Sequence, residues 1–331
     1  MKIVITDHAF PDLATEEAIA AAAGATLVAA QTKDPGQLAT AVADADAVMT
    51  QFAPVNADVI AAMRRARVIV RYGIGVDNVD LAAARARGIP VCNVPDYCID
   101  EVADHTLAFI LALTRQVVPQ SRLVHEGEWK LAAPPAAFRT LAGMTCGVVG
   151  FGRIGRGVVR RLVAFGGRVL VSDPAATPEA VAALGAEGAP LAKLLAESDL
   201  VTLHCPSLPE TKGMINATML AAAKPGLLLV NLSRGDLVDP DALVSALDSG
   251  RVAGAALDVF APEPIPAGHP ILGRANVVLA PHVASVSAAA VHRLRTTVAT
   301  LAVAALAGSP LPSIVNGVAG ARVVSDREGG G

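Results

Sequence analysis

Gly150-Phe151-Gly152-Arg153-Ile154-Gly155 follows directly on the short apolar run Cys146-Gly147-Val148-Val149 and leads straight into a helical stretch. That placement constrains the fold more than any other feature of the chain. A strand must deliver the backbone to a tight turn at Gly150, Gly152 must let the backbone approach a pyrophosphate, and Gly155 must let a helix pack closely on the sheet. The unpaired N–H groups at the start of that helix then face the phosphates. The next apolar run, Val169-Leu170-Val171-Ser172, ends at Asp173, where a carboxylate accepts hydrogen bonds from ribose hydroxyls. Three glycines alone are turn chemistry in a chain rich in alanine and glycine, and Asp173-Pro174 alone is a turn after a strand. Strand, glycines, helix, strand and acid in this order imply dinucleotide binding.

Around this signal, β-branched runs alternate with alanine-rich helical segments, the pattern of βαβ units on a parallel sheet. A first block predicts strands near Ile3–Thr6, Thr26–Ala29, Ala47–Met49, Val68–Val70 and Val91–Asn93. Helices are expected between them, with Asn56 and Asp80 as N-caps. A second block opens with a long helix over Glu101–Arg115 and a loop holding Gly127, Trp129, Pro134 and Pro135. Its strands are expected at Cys146–Val149, Arg168–Ser172, Leu200–Leu203, Leu227–Asn231, Gly254–Leu257 and Val277–Leu279. A last helix covers roughly Ser287–Ala307, and the tail Ser325–Gly331 is expected to be disordered.

Composition narrows the function classes. At 331 residues the chain is sized for two domains. With 53% hydrophobic and 17% charged residues it is no disordered protein. Its apolar runs, such as Leu107–Leu113 and Val298–Ala307, fall short of the roughly 18 residues that cross a bilayer. Met1-Lys2-Ile3-Val4-Ile5 reads as a core strand and not a signal peptide, so a cytoplasmic location is expected. A net charge of −3 without a basic stripe excludes nucleic acid as a partner. Cys92, Cys98, Cys146 and Cys205 show no metal-ligand spacing, and reduced buried thiols with no metal site are expected.

Three polar residues stand just beyond expected strand ends, where open α/β sheets bind ligands. They are Arg234 after Leu228–Leu232, Glu263 after the run that ends Phe260-Ala261-Pro262, and His282 after Val277-Val278-Leu279-Ala280-Pro281. An arginine recognises a carboxylate in two-point fashion. A histidine donates a proton near neutral pH, and a glutamate orients the imidazole and favours its charged form. Singly, each could be a salt bridge or a helix cap. Together, downstream of the glycine motif, they suit reduction of a 2-oxo acid.

Taken with these motifs, the chain resembles the D-isomer-specific 2-hydroxyacid dehydrogenase family, close to its phosphoglycerate dehydrogenase and C-terminal-binding-protein branch. The stretches that carry the likeness are Arg71–Asp80, Gly88–Pro95, Glu101–Leu107, Gly150–Gly155, Val230–Asp239, Ala255–Pro264 and Pro281-His282, spanning roughly residues 40–317. The resemblance implies an α/β fold of two doubly wound parallel-sheet domains with a cleft between them. One is a Rossmann-type NAD domain (99–285) and the other a flavodoxin-like, discontinuous substrate domain (1–98 and 286–318), with 319–331 as a tail. Hinges are expected near Asp96–Glu101 and Ala284–Ser287. The resemblance further implies that Arg71 and the Gly73, Ile74, Gly75 and Val76 backbone bind the substrate carboxylate with Arg234. Thr106, Arg153, Ile154, Cys205, Leu232, Asp258 and Ser285 would line NAD beside the glycines and Asp173.

The reaction so implied is hydride transfer between NAD(H) and C2 of a small D-2-hydroxy or 2-oxo acid by a homodimer. Alternatives on the same fold are a dinucleotide-sensing regulatory scaffold and a phosphite- or formate-type dehydrogenase. No chain is left by residue 331 for a regulatory amino-acid-binding domain, so serine control through one is not expected. One departure stands out. The family usually has glycines after the histidine, and this chain has Val283-Ala284-Ser285, whose side chains would lie near the nicotinamide or the substrate.

Overall fold

The computed structural model describes residues 1–322. The chain divides into two compact units, Met1–Tyr97 with the chain from Ser287 onward, and Cys98–Val286. Along the first unit run β1 (Lys2–Ile5), α1 (Ala14–Ala22), β2 (Thr26–Ala29), α2 (Pro35–Val42), β3 (Ala47–Thr50), α3 (Ala57–Ala62), β4 (Ile69–Arg71), α4 (Leu81–Ala86) and β5 (Val91–Cys92). The second unit contains α5 (Ile99–Arg115), α6 (Val117–His125), β6 (Thr145–Val149), α7 (Arg153–Ala164), β7 (Arg168–Ser172), α8 (Pro178–Ala182), β8 (Glu187–Gly188), α9 (Leu191–Glu197) and β9 (Leu200–Leu203). It continues with α10 (Ala217–Ala222), β10 (Leu227–Asn231), α11 (Pro240–Asp248), β11 (Val252–Leu257) and β12 (Val277–Leu279). The chain then returns to the first unit as α12 (Ala288–Leu306).

Both sheets are wholly parallel. The first has the order β2-β1-β3-β4-β5, the flavodoxin-like doubly wound arrangement. The second reads β8-β7-β6-β9-β10-β11-β12, which is the 3-2-1-4-5-6 order of a dinucleotide-binding sheet with one strand added. Strands covered on both faces must be apolar throughout, and β3, β9 and β10 are buried along their whole length. The helices begin where their sequence provides caps. Asn56 accepts from Val59 N at 3.0 Å, Asp80 from Ala83 N at 2.9 Å, and Ser287 from Ala290 N at 2.9 Å.

In the first unit α12 is fixed by a buried ion pair, with Arg295 Nη2 donating to Glu16 Oε2 at 2.6 Å and to Asp12 Oδ1 at 3.0 Å. The Tyr72 hydroxyl donates to Glu16 Oε1 at 3.3 Å, so the carboxylate keeps a second partner. In the second unit α5 buries Val102, Ala103, Thr106, Leu107, Ile110 and Leu113, one helical face. Arg161 of α7 reaches back to Asp104 at 2.7 Å and Asp100 at 3.0 Å.

Two features differ from the sequence-based expectation. The segment after Arg115 begins with a further helix, α6, set off from α5 by Gln116 at φ 54°. A two-residue edge strand, β8, extends the second sheet, and it is too short to leave a periodic signal. Of the tail expected from residue 319, Arg322 donates its N–H to Arg67 O at 3.1 Å; the remainder from 323 lies outside the described residues.

Candidate active site

The glycine motif forms the turn between β6 and α7. Gly150 has φ +97°, and a Cβ there would stand 2.6 Å from the His204 carbonyl carbon, so the turn admits only glycine. A Cβ on Gly155 would collide with the Gly150 carbonyl oxygen, so α7 packs directly on the turn. Gly152 differs, because a Cβ there meets nothing within 4 Å and its backbone is open to a ligand. Asp173, at the end of β7, folds back over the turn and accepts from Phe151 N at 2.6 Å and from Ala175 N at 2.8 Å. Beside it lies a groove of about 400 Å³ lined by Val171, Asp173, Pro178, Val181, Ala189 and Pro190. An open glycine backbone at a helix N-terminus, an adjacent carboxylate and an apolar groove fit the pyrophosphate, ribose and base of a dinucleotide.

Further along the same sheet edge, the turns after β10, β11 and β12 carry Arg234, Glu263 and His282. His282 Nδ1 lies 2.8 Å from Glu263 Oε2, and Phe260 N donates to Glu263 Oε1 at 2.9 Å. Burial pushes the Glu263 carboxyl up, but the bonds from His282 and Phe260 and the nearby charges of His282 and Arg234 outweigh it. The net effect holds the group below its ordinary value. His282 has a left-handed φ of 56°, and its N–H donates to Asp258 O at 2.8 Å. With Nδ1 turned to Glu263, Nε2 is the nitrogen left to meet a ligand. His204, by contrast, sits 2.9 Å from the Thr202 hydroxyl, and desolvation takes its pKa down to about 3, so it stays neutral.

Arg234 is half-buried, and its turn is clamped by a residue that sequence reasoning passed over. Asn231 Oδ1 accepts from Ser233 N at 3.0 Å, while Nδ2 donates to Arg234 O at 2.8 Å. Arg234 Nη1 donates to Ser233 O at 2.7 Å. An asparagine ending a strand just before a Ser-Arg-Gly turn is the available sequence signal, since short amides cap turns of this kind.

The remaining expected ligand residues fall into three groups. Gly150, Gly152, Arg153, Ile154, Gly155, Asp173, Cys205, Leu232, Asp258 and Ser285 all follow C-terminal strand ends of the second sheet. Within that group Asp258 is fully buried, and its carboxylate accepts from Val283 N and Ala284 N, each at 2.9 Å. The carboxylate therefore shapes the Val283-Ala284-Ser285 segment directly. Thr106 stands apart inside α5, buried, with its hydroxyl donating to Val102 O at 2.7 Å. Arg71, which ends β4, and Gly73–Val76, which follow it, belong to the first unit; there Asn93 Nδ2 donates to Ile74 O at 2.6 Å and Val94 N to Gly73 O at 3.0 Å. Cys92, Cys98 and Cys146 are buried thiols and Cys205 a half-buried one. Among the described residues no acidic, histidine or cysteine cluster could hold a metal ion, and no helix is long and apolar enough to cross a membrane.

Comparison with known proteins points the same way. Residues 107–284 match the family described as D-isomer specific 2-hydroxyacid dehydrogenase, NAD binding domain. Over 284 residues the chain is 42% identical to a D-3-phosphoglycerate dehydrogenase of Mycobacterium tuberculosis, covering 86% of this chain and 53% of that one. It therefore spans about half the length of that relative. It is also 42% identical over 278 residues to a glyoxylate reductase of Korarchaeum cryptofilum, with 83% and 84% covered. Among solved structures, D-lactate dehydrogenase of Aquifex aeolicus complexed with NAD and lactic acid is similar, with a TM-score of 0.83 and 27% identity. That likeness covers 92% of this chain and 96% of the other.

Proposed function

This chain belongs to the D-isomer specific 2-hydroxyacid dehydrogenase family, and on that premise we propose that it interconverts a small 2-oxo acid and the corresponding D-2-hydroxy acid. NAD(H) is the cofactor and, when bound, supplies or takes the hydride at C2 of the substrate. The second unit is its binding domain, with Gly150, Gly152, Gly155 and Asp173 as the principal contacts. The first unit is the substrate domain, with Arg71 and the Gly73–Val76 backbone assigned to the substrate carboxylate.

Arg234 recognises the carboxylate and neighbouring carbonyl through its planar fork. His282 Nε2 gives a proton to the carbonyl oxygen in reduction and takes it back in oxidation. Glu263 holds the imidazole from behind at Nδ1 and fixes its orientation. The observation that carries this reading is the 2.8 Å contact between Glu263 and His282 with the Arg234 charge beside it. A glyoxylate reductase, a D-lactate dehydrogenase and a D-3-phosphoglycerate dehydrogenase among its relatives support a small 2-hydroxy acid as substrate.

The same reading includes a cytoplasmic homodimer. The dimer is supported by apolar side chains left exposed on α6 and the segment after it, Val117, Val118, Val124, Leu131 and Trp129, the last 92% exposed. The test is NADH consumption with glyoxylate, pyruvate, hydroxypyruvate and phosphohydroxypyruvate. Turnover of at least one is expected. Tight NADH binding with no turnover of any would overturn the enzyme reading in favour of a dinucleotide-sensing scaffold.

A further inference from the structure

The turn that carries Arg234 is tied to the segment after β9 by backbone hydrogen bonds, by the Ser233 hydroxyl and by one carboxylate, that of Asp236. The Ser207 hydroxyl donates to Asp236 Oδ2 at 2.7 Å, and Lys212 Nζ lies 3.6 Å from the same oxygen. Gly213 N donates to Asp236 O at 2.8 Å, Ile215 N to Leu237 O at 3.0 Å, and the Ser233 hydroxyl to Cys205 O. Asp236 Oδ1 is buried and accepts no hydrogen bond among the described residues, so Ser207 is the one hydroxyl anchor of this side chain.

Asp236 also lies midway along a continuous run of packed backbone. On one side, the His204–Cys205 backbone abuts the glycine turn, since a Cβ on Gly150 would stand 2.7 Å from Cys205 N. On the other, Gly235 packs so closely on Phe260 that a Cβ would collide with its backbone, and Phe260 N holds Glu263. Asn231 clamps the Arg234 turn from the strand side. From the side of the segment after β9 it is held by the Gly213 and Ile215 backbone bonds and, through a side chain, by the Asp236 carboxylate.

We propose that Asp236, anchored by Ser207, is a positioning residue that fixes the Arg234 turn, and so sets the affinity for the substrate carboxylate without touching it. The proposal rests on the role given to Arg234 above. A two-point fork tolerates little displacement. Loss of the side-chain anchor loosens the turn, which keeps its backbone bonds, and so weakens substrate binding more than it disturbs the Glu263–His282 pair.

The experiment compares Asp236→Ala, Asp236→Asn, Ser207→Ala and the Ser207→Ala/Asp236→Ala double variant. Asp236→Ala is expected to raise KM for the 2-oxo acid about tenfold with kcat changed less than about threefold, the signature of lost binding. The dissociation constant for NADH, read by fluorescence, is expected to change less than KM, because Asp173 keeps its bonds to Phe151 N and Ala175 N and the glycine turn keeps its own backbone contacts. Asp236→Asn restores KM, since the amide oxygen still accepts from Ser207. The double variant is no worse than Asp236→Ala alone, because both substitutions remove the same Ser207–Asp236 bond.

A second readout needs no turnover. Alkylation of Cys205 by iodoacetamide, located by peptide mass, is expected to quicken several-fold in Asp236→Ala as the segment after β9 loosens. Unchanged KM, additive single effects, or failure of Asp236→Asn to rescue overturns the proposal, as does an unchanged alkylation rate. If the wild type turns over no 2-oxo acid while alkylation still quickens, the function assigned to the site fails and the anchor is a structural contact only.

Discussion

At the scale of single residues, the electrostatics turn on Glu263. Its burial opposes ionisation, yet the bonds from His282 and Phe260 and the charge of Arg234 keep it ionised below the ordinary glutamate range. A depressed acid is present as carboxylate above its unperturbed value and loses its pairing only as pH falls through the depressed one. The acid limb of activity that arises from this pair therefore lies below the usual glutamate range of roughly 4.3. Glu263→Gln removes the charge facing the imidazole but keeps an oxygen for Phe260 N. The acid limb of kcat/KM that arises from Glu263 should be lost; superimposable profiles would show that the pair is not engaged in the reaction. Asp173 supports a second prediction, preference for NAD(H) over NADP(H). A 2′ phosphate would meet its carboxylate at close range. Arg168, the basic residue that opens β7, is engaged by Glu187 and Glu197 at 2.8 Å each. Asp173→Ala should narrow the preference and weaken NADH binding. Comparable kcat/KM with NADPH in the wild type would contradict this role.

At the scale of elements, the contact between β6, its turn and α7 decides whether the second unit holds a dinucleotide. Gly155→Ala drives a methyl into the Gly150 carbonyl, so α7 must move away from the sheet. NADH binding should weaken at least about tenfold, and Tm should fall by roughly 2–4 °C for each kcal/mol lost in a unit of this size. Retained affinity would mean that the helix tolerates the shift. This contact was legible in the sequence because an apolar run, three spaced glycines and a helical pattern each leave a local mark. The strands of both sheets were legible for the same reason, as was the placement of Arg234, Glu263 and His282 after strand ends. Elements without a period of their own were not, as β8 and the break between α5 and α6 show. Nor could spacing reveal that Asp236 ties the Arg234 turn to Ser207, or that Asp258 grips residues 283 and 284. Those contacts join residues up to 29 positions apart and depend on side-chain direction, which spacing alone does not encode.

For the whole molecule, one chain forms two parallel-sheet units, and α12 returns the C-terminal part to the first through the Arg295–Glu16 pair. Every polar group given a chemical role in the second unit stands at the C-terminal edge of a single sheet, and the account assigns proton transfer to one of them, His282. His282→Ala removes the proton donor and leaves Gly150, Gly152, Gly155 and Asp173 as they are. The most direct test is kcat for 2-oxo acid reduction by this variant, with NADH affinity measured on the same preparation. A fall of roughly 10²–10⁴-fold in kcat is expected, with NADH binding preserved. A variant that turns over at near wild-type rate would contradict this assignment.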